Sequence, residues 1–174
     1  MAKHWRGSGL SEGIYNQVAI LHMNGRIDVG SYGHNGNVAE YRLNHRIRIN
    51  TDVIDLNTDF DQEAADLFEK ASKCDTVEER GFRTQQAQAK LVRRRKVLMA
   101  LAQALVHEGA HAHSGFTLSA KNDEYEGYSA EAWWNGHLWR RLPDDRKFIE
   151  AMDSDTLSAS KGQTSYPITS RIPK

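Results

Sequence analysis

His107 and His111 stand four residues apart at the end of an alanine- and leucine-rich run, and Glu108 directly follows the first of them. Residues four apart on a helix lie one above the other on the same face, so the spacing lets two imidazoles share one metal ion only if this stretch is helical. Glu108 then leaves the helix beside that ion, where its carboxylate can take a proton from an attacking water. Such a helix must pack on two sides. One side meets a sheet, and the other faces whatever completes the metal's ligand set.

Periodicity extends this helix from about Thr84 to His113, with Leu91, Leu98, Leu101 and Leu105 as its apolar stripe. At 100° per residue Leu98 and Leu105 point roughly opposite to His107. Before it, Ala64, Ala65, Leu67 and Phe68 predict a helix capped by Asp59 or Asp61, with a break at Asp75-Thr76 and Gly81. After it, Ser114-Gly115 and a loop over 117–122 lead to a second helix from Asp123 to Leu142, which Pro143 stops. Residues 14–23, 26–29, 38–43 and 45–50 read as strands, the first two joined by an Asn24-Gly25 hairpin turn, and the glycine-rich 30–37 reads as a loop. The expected fold class is α+β, with a small, mostly antiparallel sheet ahead of the two helices. One domain spans 1–152, and 153–174 form a polar tail, extended or poorly ordered.

The charges exclude some partners. Lysine plus arginine and aspartate plus glutamate number 23 each, so the formal net charge is zero. The basic run Arg93-Arg94-Arg95-Lys96 spreads around a helix and has no interleaved aromatics, which argues against nucleic acid and for pairing with Glu78, Glu79 or the acidic helix at 61–69. No stretch has the roughly 20 apolar residues of a membrane span, and the opening residues lack the apolar core of a leader. The expected location is the cytoplasm of the producing cell, or export by a route without a cleaved leader. The single cysteine, Cys74, reads as an inert thiol. Trp133, Trp134, Trp139 and Phe148 read as packing of the second helix on the first.

A catalytic zinc takes three protein ligands and keeps a fourth position open. Beyond His107 and His111, the segment Asn122-Asp123-Glu124-Tyr125-Glu126-Gly127-Tyr128-Ser129-Ala130-Glu131 offers four carboxylates, and His137 lies further on. Glu124 and Glu126 sit about 200° apart on a regular helix, so the two cannot both be ligands. Over residues 84–142 the chain resembles the zinc metallopeptidases called zincins, in their gluzincin branch, where a glutamate on a following helix is the third ligand. The resemblance implies Zn2+ held by His107, His111 and Glu124, with Glu108 as general base and Gly127 as the small residue that lets the helices close. Tyr128 stands where many relatives carry an acid behind a ligand histidine, and Glu131 can take that place. The oxyanion donor is sought among Tyr125, Tyr128, His137 and Tyr166, with Tyr128 entered as the catalytic residue. The family also implies a sheet edge that binds extended substrate.

The compact two-helix site is similar to the minimal metallopeptidase domains of bacterial toxins and effectors. That likeness implies a protein or peptide substrate and a carrier or immunity protein as partner. Cell-wall peptide is a sub-case, since the same chemistry hydrolyses any amide within reach. The rival is a non-catalytic, zinc-stabilised binding module, whose metal needs a fourth ligand such as His113 or a second carboxylate.

Overall fold

The computed structural model describes residues 9–33, 36–115 and 119–173. The architecture is α+β: helices α1 (Gly9–Met23), α2 (Phe60–Ser72), α3 (Val77–Ser114), α4 (Ala120–Arg141) and α5 (Arg146–Ala159), with strands β1 (Ile27–Gly30), β2 (Ala39–Arg42) and β3 (Arg46–Asn50) in one sheet. Contacts divide the chain into two units. One comprises residues up to Val53 and from Ala100 onward; the other is Ile54–Met99. Residues 1–8, which bear on the leader, and His34-Asn35 and 116–118 of the predicted loops lie outside the described residues.

The expected strand at 14–23 is the second half of α1. Ile14, Val18 and Leu21 are buried at helical spacing, and the Asn24-Gly25 pair ends a helix instead of turning a hairpin. Gly25 has φ +62, its N–H reaches His22 O at 3.0 Å, and Arg26 N–H reaches Leu21 O at 2.8 Å. Those two bonds make a Schellman cap, which satisfies the last carbonyls of the helix and requires a left-handed residue where glycine is least strained.

The sheet is mixed rather than mostly antiparallel, with order β1-β3-β2. β3 pairs parallel with β1 and antiparallel with β2, because β2 enters first and a tight turn through His45, at φ 57, sends the chain back between the two. The alternation predicted for β3 holds: Ile47 and Ile49 are buried, Arg46 donates to Asp28 at 2.6 Å and Arg48 stacks over Tyr32. β2 is thereby an edge strand. Bonding of Val38 O to Asn50 N–H sets the ladder so that the N–H and C=O of Ala39 and Tyr41 point away from β3.

α3 is longer than predicted, since Gly81 does not interrupt it. Its leucine stripe is also not the core: Leu91 and Leu98 are exposed, while Met99, Val106, Ala110 and Ala112 are buried. Small residues prevail because α1 comes too close for leucine. A Cβ built on Gly109 would lie 2.6 Å from Val18 Cγ2 and 2.8 Å from Ile14 Cγ2, and one on Gly13 would lie 2.8 Å from His113 Cε1. Within the Ile54–Met99 unit, Asp59 caps α2 by accepting from Gln62 N–H, as expected. There Arg94 pairs with Asp61 and Arg93 with Asp55, whereas Glu79 pairs with Arg83. Cys74 is buried and donates to Lys70 O.

α4 ends at Arg141, as Pro143 predicts, but the chain after it is not a tail from residue 153. α5 continues to Ala159 and buries Ile149, Met152, Asp153 and Thr156. Beyond it, an extended segment lies along α4: Ser165 N–H bonds Lys121 O, and the Arg171 backbone covers Gly136. Of the described tryptophans only Trp134 is core; Trp139 bonds Glu150 of α5, and Arg171 stacks over the exposed Trp133. No described helix is long and apolar enough to cross a membrane.

Because α1 meets α3 at Gly109, Gly109→Val is expected to lower the unfolding free energy by about 2 kcal/mol or more through overpacking. Chemical denaturation checks this; unchanged stability would show that the α1 contact has room to spare.

Candidate metal centre

His107 and His111 project from α3 towards α4, which brings Glu124 to them. One ligand atom from each of the three lies within 4.8 Å of the others. Glu124 Oε2 is 3.5 Å from His107 Nε2 and Oε1 is 3.9 Å from His111 Nε2. Ligands of a tetrahedral zinc at bond lengths of about 2.0–2.1 Å stand roughly 3.4 Å apart, so this group, whose ligand atoms lie within 4.8 Å of one another, holds such an ion once they draw in by about 1.4 Å at most. Gly127 permits the approach: a Cβ there would lie 2.7 Å from His107 Nε2.

Each imidazole has a carboxylate on its far nitrogen. Glu131 Oε1 lies 2.7 Å from His107 Nδ1 and accepts its proton, which leaves Nε2 for the centre. Asp123 Oδ2 lies 2.9 Å from His111 Nδ1, close enough for charge pairing though off the line of the ring N–H. Ser114 Oγ fixes that carboxylate by donating to Oδ1 at 2.5 Å. Glu131 in turn receives Gln103 Nε2 at 2.9 Å and Thr156 Oγ1 at 2.6 Å, both on Oε2.

Glu108 is held from the sheet. Tyr41 N–H, one of the groups that β2 turns away from β3, donates to Glu108 Oε2 at 2.6 Å. Burial pushes the Glu108 carboxyl above the usual carboxylate range, against the pull of the two histidines and the amide. Burial alone would lower the His107 pKa, but hydrogen bonds to Glu124 and Glu131 and the fields of Glu131 and Glu108 outweigh it and raise the value to about 10. The His107 hydrogen bond correspondingly lowers Glu124. Tyr128 packs edge-on against the His107 ring at 4.7 Å between centroids, and burial together with Glu124, Glu131 and Glu108 pushes its phenol up to about 12.

These side chains line a cleft of about 660 Å3, walled by β2, α3, α4 and α5. Glu40, Glu108, Asp123, Glu124, Glu131 and Asp155 contribute to its lining, and among the described residues no lysine or arginine does. Of the other predicted residues, Glu126 is not in the lining, His137 stacks on Trp134, and Tyr125 pairs with Tyr166. His113 is exposed and lies against Gly13. Sequence reasoning missed Gln103, Thr156 and the Tyr41 amide. None carries a local signal, because each reaches the site from a separate element.

No family model, no curated protein and no solved structure matches this chain. Its function is therefore read from the centre itself.

In the metal-free protein His107 holds a proton throughout the neutral range, so an ion bound at Nε2 has to displace it. Zinc affinity, measured by competition with a chromophoric chelator, is expected to rise about tenfold per pH unit between pH 6.5 and 8.5. An affinity independent of pH would remove His107 from the ligand set.

Proposed function

We propose that this chain is a zinc-dependent peptidase of gluzincin type. The observation that carries the reading is the convergence of His107, His111 and Glu124 beside Glu108 in an open cleft. Zinc bound by those three residues supplies a Lewis acid that polarises a carbonyl and acidifies water. Glu108, steadied at Oε2 by the Tyr41 amide, takes the water's proton and passes it to the leaving amine. Its raised pKa suits that exchange, since the carboxyl must both gain and release a proton. Tyr128 keeps its phenolic proton at neutral pH and lines the cleft; its O–H, which donates to Gln163 Oε1 at 3.3 Å, would turn to the developing oxyanion.

The outward amide and carbonyl of Ala39 offer an extended peptide the bonds of an added strand. What favours catalysis over a closed structural site is the count of ligands: three side chains converge among the described residues, and the cleft lies beside them. A structural zinc requires a fourth.

The decisive experiment measures zinc content by elemental mass spectrometry and cleavage of a peptide library, for the wild type and Glu108→Gln. About one zinc per chain in both, with hydrolysis reduced about 10²- to 10⁴-fold in Glu108→Gln, is the expected result. Zinc in neither would refute the metal reading, and equal hydrolysis would refute the role of Glu108. The same pair expressed in bacteria tests the toxin analogy, growth arrest by the wild type alone being expected. Because the described lining carries six carboxylates and neither lysine nor arginine, peptides with lysine near the cleaved bond should be preferred to glutamate-containing ones, and the preference should shrink as salt rises. Library products without charge bias would count against this.

A further inference from the structure

We propose that Thr156 of α5, together with Gln103 of α3, sets the metal affinity of the centre by fixing the Glu131 carboxylate behind His107. The proposal rests on the reading that His107, His111 and Glu124 hold a metal. Thr156 lies about three turns into α5, a stretch with no metal-site motif, and it is 2% exposed. Its hydroxyl touches none of the three ligands.

The proton count decides what the hydroxyl does. Thr156 Oγ1 has one proton and two acceptors in reach, Glu131 Oε2 at 2.6 Å and Met152 O at 3.0 Å. A hydrogen bond to an ionised acceptor is about twice as strong as one to a neutral carbonyl. Were the proton turned to Met152, two bare oxygens would face each other at 2.6 Å. The hydroxyl therefore donates to Glu131. Gln103 Nε2 closes the triangle with its two protons, one to Glu131 Oε2 at 2.9 Å and one to Thr156 Oγ1 at 2.7 Å. Asn135 Nδ2, itself fully buried, adds a longer contact to Thr156 at 3.3 Å.

Thr156 and Gln103 both donate to one carboxylate oxygen, Oε2, and the other oxygen faces His107 Nδ1. The arrangement holds the Glu131 carboxylate in one rotamer, with its side chain only 13% exposed. Glu131 so fixed accepts the Nδ1 proton of His107 and aims Nε2 at Glu124, which is what a cation at the centre requires. Thr156 and Gln103 are thus positioning residues that act through Glu131.

Thr156→Val keeps the shape of the side chain and removes the proton. Loss of a partner behind a metal-bound histidine weakens metal binding about 10- to 100-fold, and Thr156 stands one bond further out, so a loss of about tenfold is expected. The test measures zinc affinity by chelator competition at one pH for the wild type, Thr156→Val, Thr156→Ser, Gln103→Leu and Ile149→Val, with thermal unfolding of each metal-free protein alongside. Thr156→Val and Gln103→Leu should bind zinc about tenfold more weakly, and Thr156→Ser should stay within about twofold of wild type. Ile149→Val, a change at a buried residue of the same helix, should lower the melting temperature and leave affinity unchanged. Equal affinity in Thr156→Val and wild type, failure of serine to rescue, or an equal loss in Ile149→Val would overturn the positioning role while leaving the metal site standing. No zinc uptake by the wild type would instead overturn the metal reading, and this proposal with it.

Discussion

The contact between the His107 ring and the bare backbone of Gly127 governs the geometry of this molecule. A methyl group there would stand 2.7 Å from Nε2 and force α4 away from α3. With α4 this close, the residue one turn before Gly127 is Glu124 and the residue one turn after it is Glu131, so both share the face that meets the ring. One helix face therefore supplies the third ligand, the space for the imidazole and the carboxylate behind it. The opposite side of α3 obeys the same logic, since Gly109 admits Ile14 and Val18 of α1. α3 is clamped at its histidines by two helices, and glycine makes both approaches possible.

That clamp places several ionisable groups in a small volume, which is costly unless each is paired. Desolvating a charge costs several kcal/mol, and only a hydrogen-bonded partner offsets it. The centre meets the condition by sharing. Glu131 serves His107 and is served by Gln103 and Thr156; Asp123 sits beside His111 and is served by Ser114; Glu108 is served by the Tyr41 amide. In the metal-free state the His107 imidazolium turns Nδ1–H to Glu131 and Nε2–H to Glu124 and holds together what a divalent ion would otherwise hold. The same carboxylates that suit a cation thus keep the empty fold from repelling itself.

The sheet contributes less to the core than to the cleft. Three short strands would be a weak unit alone, but the order β1-β3-β2 leaves β2 at the edge with Tyr41 N–H turned towards α3. Glu108 occupies that amide. The proposed general base and the proposed peptide-binding edge are therefore tied to each other by one hydrogen bond.

The sequence by itself determined the local events: the histidine spacing on a helix, the Asp59 cap, the stop at Pro143, the alternation in β3, and the exclusion of Glu124 and Glu126 as joint ligands. These follow from single-helix or single-strand geometry, which neighbours in the chain dictate. It misjudged residues 14–23, because an apolar run rich in isoleucine and valine satisfies strand and helix patterns alike until Ile14 and Val18 are seen against Gly109. It misjudged 153–159, because a serine- and threonine-rich composition hides a helix whose inward face is Met152, Asp153 and Thr156. Only the tertiary structure chose Glu124 over Glu126, gave Glu131 to His107 and Asp123 to His111, and brought in Gln103 and Thr156. Those choices depend on how far apart two helices lie and how each is rotated, quantities fixed by the glycines at their crossings and not by any local pattern.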